Sequence, residues 1–322
     1  MKHYTHINNL ENLQVTVQDA LTLKKDPLQF EQLGKGKTIC LLFFNNSLRT
    51  RLSTQKAAQN LGMKTIVMNF GTEGWQLEYE DGKIMDQDKS EHIKEAAKVI
   101  SQYCDIVAIR AFASLTDKEK DKQEEVLNNF IKYATIPVVN MESSVGHPLQ
   151  ALADAITLEE HKPTHKPKVV LSWAPHPKAL PHAVANSFVE MMQLQDANFV
   201  ITHPKGYELN TEVTNGAAIE YNQEKAFADA DFIYTKNWSS YTEYGQILNS
   251  DKKWMITKQK MQLTNNAKFM HCLPVRRNVV VEDAVLDSKN ALVIEQANNR
   301  TYAAQVVLKK ILSSINSPLD RG

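Results

Sequence analysis

The chain has 322 residues, and its 37 Lys plus Arg are matched by 37 Asp plus Glu, so the formal net charge at pH 7 is zero. That balance argues against a basic nucleic-acid surface and against an acidic solubilising tail, and a hydrophobic share of 43% excludes intrinsic disorder. A chain of this length favours two domains over one.

Residues 1–14 (MKHYTHINNLENLQ) lack the apolar core of a signal peptide. From there, short apolar runs alternate with helical patterns. In the first half the runs are 38–44 (TICLLFF), 64–70 (KTIVMNF), 105–110 (DIVAIR) and 136–141 (IPVVNM). Helical spacing falls at 47–61, 92–101 and 120–133. After a helical stretch at 149–161 and a polar link at 162–168 come 168–173 (KVVLSW), 198–202 (NFVIT), 231–236 (DFIYTK), 268–273 (KFMHCL) and 291–295 (ALVIE). Near-continuous apolar runs separated by helices predict parallel strands covered on both faces. The fold class expected is therefore α/β, with two doubly wound parallel-sheet domains. The segment 302–315 has helical spacing and is expected to return to the first domain. The expected boundaries are 1–150, 151–300 and a C-terminal helical segment 301–322.

No apolar run approaches the roughly 18 residues of a membrane helix, so no membrane association is expected. The three cysteines, Cys40, Cys104 and Cys272, are scattered, with no C-x-x-C pair and no Cys/His zinc spacing. A reducing, cytoplasmic location and no metal are the expectation.

Ligands of open α/β sheets bind beyond the carboxyl ends of the strands. Seven segments lie there. Ser47-Leu48-Arg49-Thr50-Arg51 follows the first run and opens a helix, where an N-cap serine and free N–H groups make an anion site. The same residues also read as a plain capped helix. Arg110 ends the third run, as a crevice cation or a surface ion pair. Glu142 and His147-Pro148-Leu149-Gln150, followed by Asp154 and Thr157, come after the fourth run. The stretch 173–181 (WAPHPKALP) is a stiff proline-bearing loop. Lys236-Asn237-Trp238 ends another run. His271-Cys272-Leu273-Pro274-Val275-Arg276 runs a strand into a proline, leaving carbonyls free to accept, or simply buries a thiol. Gln296 to Arg300 follow the last run. Arg49, Arg110, His147, Lys236, Arg276 and Arg300 thus gather at strand ends, with Glu142 as the one candidate carboxylate. Such an excess of cations suits an anionic ligand.

These motifs carry a resemblance. Ser47-Leu48-Arg49-Thr50-Arg51 resembles the S-x-R-T-R phosphate loop of the transcarbamoylases, His147-Pro148-Leu149-Gln150 their H-P-x-Q helix, and His271-Cys272-Leu273-Pro274 the H-C-L-P loop of the ornithine branch. The three occur in family order across the whole chain. Lys236-Asn237-Trp238-Ser239-Ser240-Tyr241 stands where ordinary ornithine enzymes carry D-x-x-x-S-M-G. With the proline-rich loop it resembles the branch that acts on N-acylated ornithine. The loop 85–92 ends its motif on Ser90, where the acetyl branch has Glu and the succinyl branch Pro. A Glu would repel a succinyl carboxylate and Ser would not. Gln305, where the acetyl branch uses a lysine, also favours succinyl.

The resemblance implies carbamoyl transfer from carbamoyl phosphate to the δ-amine of N2-succinyl-L-ornithine in arginine synthesis. N-acetylornithine as substrate, and an inactive carbamoyl phosphate-binding paralogue, are the alternatives. It implies that Ser47, Leu48, Arg49, Thr50, Trp75, Arg110, His147, Gln150, Cys272, Leu273 and Arg300 bind carbamoyl phosphate. Among these Arg49, Thr50, Arg110, His147, Gln150 and Cys272 carry the chemistry. Glu142, His176, Lys236, Arg276 and Ser90 are implied for the acyl-ornithine. Trp75 is expected to come from a neighbouring subunit, so a homotrimer with shared active sites is implied, with no cofactor, metal or nucleic acid. A dinucleotide-binding dehydrogenase fits the fold class, but the chain lacks G-x-G-x-x-G after its first run.

Overall fold

The computed structural model describes residues 1–316; residues 317–322, the end of the expected segment 301–322, lie outside the described residues. The chain divides into two compact units. The first comprises Met1–Ser114, Glu119–Leu152 and the chain from Arg300; the second comprises Leu115–Lys118 and Ala153–Asn299.

The first unit contains β1 (Thr38–Phe43), β2 (Lys64–Asn69), β3 (Leu77–Glu78), β4 (Glu91–His92), β5 (Ile106–Arg110) and β6 (Val138–Glu142). Four of them form one sheet in the order β2-β1-β5-β6, and every neighbouring pair is parallel. β3 and β4 pair on their own. β5 and β6 are buried along their whole length and β1 along all but its first residue. That is why their sequences are continuous apolar runs rather than alternating ones. One core is built from Cys40, Leu42, Val107 and Ile109 against Ile93 and Phe130 of the flanking helices Ile93–Tyr103 and Glu125–Tyr133. β2, at the sheet edge, is only partly covered.

The second unit contains β7 (Lys168–Trp173), β8 (Asn198–Thr202), β9 (Ala218–Glu220), β10 (Phe232–Lys236) and β11 (Lys268–Met270), ordered β11-β10-β7-β8-β9 and again parallel throughout. Val170, Phe227, Ile233, Phe269 and Val281 are central to its core. Two helices are divided between the units. Pro148–His161 passes from the first to the second at Leu152, and Val293–Ile315 passes back at Arg300.

Several local expectations change. The run 291–295 is not a strand: Ala291 makes one bridge to Phe269, and the helix Val293–Ile315 begins two residues later. A short apolar run does not distinguish a buried strand from the buried start of a helix. The helical pattern 120–133 is broken by Glu124 at φ 46°, giving Lys118–Lys122 and Glu125–Tyr133. The strand expected over 268–273 stops at Met270. The helices Leu13–Lys25 and Ala183–Met192, the latter buried almost all round, are elements the apolar runs did not single out.

The helix Arg49–Asn60 positions the first candidate loop, and its far end is fixed by backbone chemistry. Gly62 N–H donates to Gln59 O and Met63 N–H to Ala58 O, the paired bonds of a glycine-terminated helix. Gly62 has φ +77°, and a Cβ there would sit 2.0 Å from Glu31 O. Gly62→Ala should therefore lower unfolding free energy by about 1–3 kcal/mol, measured by urea denaturation; an unchanged midpoint would refute this reading of the turn.

Candidate active site

In the first unit, the side chains at the strand ends form one buried, connected group. Arg110, at the end of β5, donates from Nε to Glu142 Oε2 at 3.2 Å. It donates from Nη1 to the carbonyls of Asn45 and Asn46 at 2.9 and 2.6 Å. Asn45 Oδ1 in turn accepts from Phe112 N–H at 2.7 Å, and the Phe112 ring lies 4.0 Å from the guanidinium. The loop before Ser47 is thereby tied to the neighbouring strand. Burial weakens the Arg110 cation, Glu142 offsets that loss, and the charge of Arg49 adds to the weakening. The guanidinium still stays protonated.

Ser47 does not occupy the formal cap position, which falls on Leu48, because the helix begins at Arg49. Its Oγ nevertheless accepts from Thr50 N–H at 3.3 Å, the i to i+3 bond of an N-cap serine. Leu48 is exposed and Arg49 half-buried, while Thr50 is buried. Thr50 Oγ1 accepts from Arg300 Nη2 at 2.5 Å. The same Nη2 lies 3.4 Å from His147 Nε2, which lies 3.5 Å from Glu142 Oε2. Thr50, Arg300, His147, Glu142 and Arg110 are thus one chain of contacts, each member under 10% exposed. Pro148 stands at the first helical position, where its missing N–H costs nothing, and His147 O receives the N–H groups of Gln150 and Ala151. Gln150 is buried beside it in the same turn.

Two expected residues stand outside this group. Trp75 is 58% exposed, with its indole N–H on Glu91 Oε2 at 2.8 Å. Ser90 is exposed, its N–H bonded to Gln76 O. Nearby, Glu78 accepts from the N–H groups of Glu80 and Tyr79 and from Lys89 Nζ. Those bonds, that from Glu80 foremost, hold its carboxyl down at about 2. Gln305, within the last helix, is fully buried, accepts from Asn60 Nδ2 and donates to Pro27 O.

The second unit assembles its own residues. Lys236 ends β10 directly beside Trp173 of β7 and is buried. Arg276 Nε donates to His176 Nε2 at 3.1 Å. That bond uses an unprotonated Nε2, while Nδ1 lies 2.9 Å from Lys178 O and 3.1 Å from Lys178 N. Burial lowers the His176 pKa below 6.5, the Lys178 carbonyl opposes the shift, and the charges of Arg276, Lys236 and Lys178 reinforce it. Arg277, the adjacent arginine, instead pairs with Asp283 and Asp287 at 2.8 and 2.7 Å.

The loop 271–274 is held by a relay that the sequence motifs contain without revealing. Asp154 Oδ1 accepts from Gln296 Nε2, Gln296 Oε1 accepts from His271 N–H, and His271 Nδ1 accepts from Leu273 N–H. Thr157 is likewise paired with Asn299, at 2.9 Å. Asp154 and Thr157 therefore act within the scaffold. Leu273 has φ +54° ahead of a cis Leu273–Pro274 bond, a left-handed conformation unusual for leucine. Cys272 is a buried free thiol facing the Tyr234 hydroxyl. Gln296 and Asn299 were visible only as polar residues after an apolar run; their pairing needs the fold.

Comparison with known proteins agrees in kind. The family described as "Aspartate/ornithine carbamoyltransferase, carbamoyl-P binding domain" matches residues 2–160, and "Aspartate/ornithine carbamoyltransferase, Asp/Orn binding domain" matches 181–311. The chain is 50% identical to N-succinylornithine carbamoyltransferase of Bacteroides thetaiotaomicron, over 98% of this chain and 100% of the relative. It is 35% identical to N-acetylornithine carbamoyltransferase of Xanthomonas axonopodis pv. citri, over 97% of each. Among solved structures it is similar to a Glu-to-Ser variant of N-acetyl-L-ornithine transcarbamylase complexed with carbamyl phosphate and N-succinyl-L-norvaline. That likeness has TM-score 0.91 and 35% identity, covering 97% of this chain and 100% of the other.

Two outcomes follow from this geometry. Glu142→Gln leaves Arg110 buried without its counter-charge and should cost about 3–5 kcal/mol of stability; a loss below about 1 kcal/mol in denaturant titration would mean the pair is solvent-screened. The His176 imidazole should titrate below the ordinary 6.5. Since folding favours its neutral form, the Arg276 contact is present above that range and lost as pH falls through the lowered value. An NMR titration giving 6.5 or higher would contradict the bond to Arg276.

Proposed function

The chain belongs to the aspartate/ornithine carbamoyltransferase family, and from that premise we propose that it carbamoylates the δ-amine of N2-succinyl-L-ornithine, using carbamoyl phosphate and giving N-succinylcitrulline and phosphate. The observation that carries the reading is the buried chain Thr50–Arg300–His147–Glu142–Arg110 beside the Ser47 loop. Together they offer a dianionic phosphate the Arg49 and Arg300 guanidinium groups and a helix start. Ser47, Leu48, Arg49, Thr50 and Arg300 hold the phosphate. Thr50, Arg110 and His147 donate to the oxygen of the carbamoyl group as it gains charge. Gln150, with the carbonyls at Cys272 and Leu273, takes the carbamoyl amide. Residues 1–150 serve as the carbamoyl phosphate domain, 151–300 as the acyl-ornithine domain, and the chain from 301, helical to Ile315, returns to the first.

In the reaction the amine lone pair forms the new C–N bond, the C–O bond to phosphate breaks, and the phosphate takes the amine proton. The chain's own work is to orient the two reactants and stabilise the oxyanion. Glu142, His176, Lys236 and Arg276 anchor the acyl-ornithine, and the cations pair with its carboxylates. Ser90 leaves room for the succinyl carboxylate. The higher identity to the succinyl relatives and the solved Glu-to-Ser variant holding N-succinyl-L-norvaline both support that choice.

Arginine biosynthesis is the setting and the cytoplasm the location; no described helix is long and apolar enough to cross a membrane. The assembly is a homotrimer in which Trp75 of one subunit completes the site of another. The exposed Leu48, Leu52, Ile66, Trp75, Ile84 and Met85 supply apolar surface for that contact.

Product formation from both acyl-ornithines with carbamoyl phosphate tests the reading. The expected result is a higher kcat/KM for the succinyl compound; a higher value for the acetyl compound would overturn the substrate. No transfer to any ornithine derivative would point to an inactive binding paralogue. Ser90→Glu should reduce succinylornithine kcat/KM by about tenfold or more through like-charge repulsion. His147→Ala should lower kcat roughly a hundredfold. Sedimentation should give three times the 36.5 kDa chain mass.

A further inference from the structure

We infer that Asn237 is a positioning residue for acyl-ornithine recognition: its side-chain amide fixes the loop that carries His176 and, through His176, orients Arg276. This rests on the reading of His176, Lys236 and Arg276 as the acyl-ornithine anchors.

The parallel ladder between β7 and β10 ends at the pair Trp173 and Lys236. Beyond it the β7 chain continues as Ala174-Pro175-His176-Pro177, and a proline has no N–H with which to extend a ladder. The carbonyls of Ala174 and Pro175 still need donors, because both residues are buried. Asn237 supplies them. It is 3% exposed, and its Nδ2 donates to Ala174 O at 2.5 Å and Pro175 O at 3.0 Å. The side chain thus continues, by one residue, a ladder that the backbone cannot.

Its neighbours close the same loop. The Trp173 indole donates to Trp238 O at 2.9 Å. Ser239 donates from both N and Oγ to Leu180 O at 3.0 and 3.1 Å, and His182 Nε2 lies 2.7 Å from Ser239 O. Residues 237–239 therefore clamp both ends of 174–180. His176 stands one residue past the Asn237 clamp, and its Nε2 accepts the Arg276 Nε–H. Among the described residues this is the side-chain hydrogen bond of the Arg276 guanidinium. A shift of the 174–176 backbone would move the acceptor and release the arginine.

Asn237→Asp tests this, because it keeps the shape and removes the donor; Asn237→Ala serves as the second variant should the first fail to fold. With wild-type transfer to N2-succinylornithine established, the variant should raise KM for the acyl-ornithine about tenfold or more. Its kcat and its KM for carbamoyl phosphate should stay within about twofold. In a His176→Ala background the same substitution should add less than about twofold, since the two act in series. The His176 ring resonances should shift in the variant whether or not substrate is present. A parallel loss in kcat and both KM values, full additivity with His176→Ala, or unmoved His176 resonances would each overturn the inference. A wild-type protein inert toward acyl-ornithines would instead sink the parent reading, and the His176 resonances would still decide whether Asn237 sets that ring.

Discussion

The Arg110–Glu142 ion pair is the contact on which the first unit's site depends. Taking both charges out of water is costly, and such a pair adds little net stability even when its geometry is good. What it contributes is position. Glu142 neutralises the guanidinium at the end of β5, and the guanidinium's Nη1 holds the Asn45 and Asn46 carbonyls. The loop that feeds Ser47 and the helix Arg49–Asn60 is therefore registered on the neighbouring strand by a charged, short-range contact. Glu142 also faces His147, so the same carboxylate sets two donors at once.

The second unit uses neutral side chains for the same purpose. Its prolines end the backbone ladders, and Asn237, Gln296 and Ser239 take over the donors and acceptors left at the strand ends. The loops beyond these strands are thus irregular in conformation yet tied down by side-chain hydrogen bonds. Leu273 in a left-handed conformation lies in one of these loops, held on one side by His271 and behind it by the Gln296–Asp154 relay. Backbone strain of this sort survives where surrounding contacts over-determine it.

A chain with no net charge can still concentrate cations. In the first unit Arg110 ends β5 against Glu142, Arg49 opens the helix after β1 and Arg300 reaches Thr50 from within the last helix. In the second Lys236 ends β10 and Arg276 bonds His176, while Arg277, Lys94 and Lys37 pair elsewhere with Asp283, Asp81 and Asp105. The neutral total conceals this division. A zero net charge speaks to nonspecific attraction across the surface, and the position of each charge speaks to chemistry.

The sequence by itself determined the parallel-sheet architecture, because strands buried on both faces must be continuously apolar: TICLLF, IVAIR and KVVLSW could be read directly. It also offered candidate site residues, because the motifs place cations and capping groups past those strands. Only the tertiary structure decided which of two adjacent arginines faces His176, that 291–295 turns into a helix, and that Asp154 and Thr157 are tied to Gln296 and Asn299. The physical reason is range. Periodicity and capping are local, spanning a few residues, whereas these assignments depend on partners about a hundred or more positions away, such as His176 for Arg276 and Asp154 for Gln296, with |i−j| of 100 and 142.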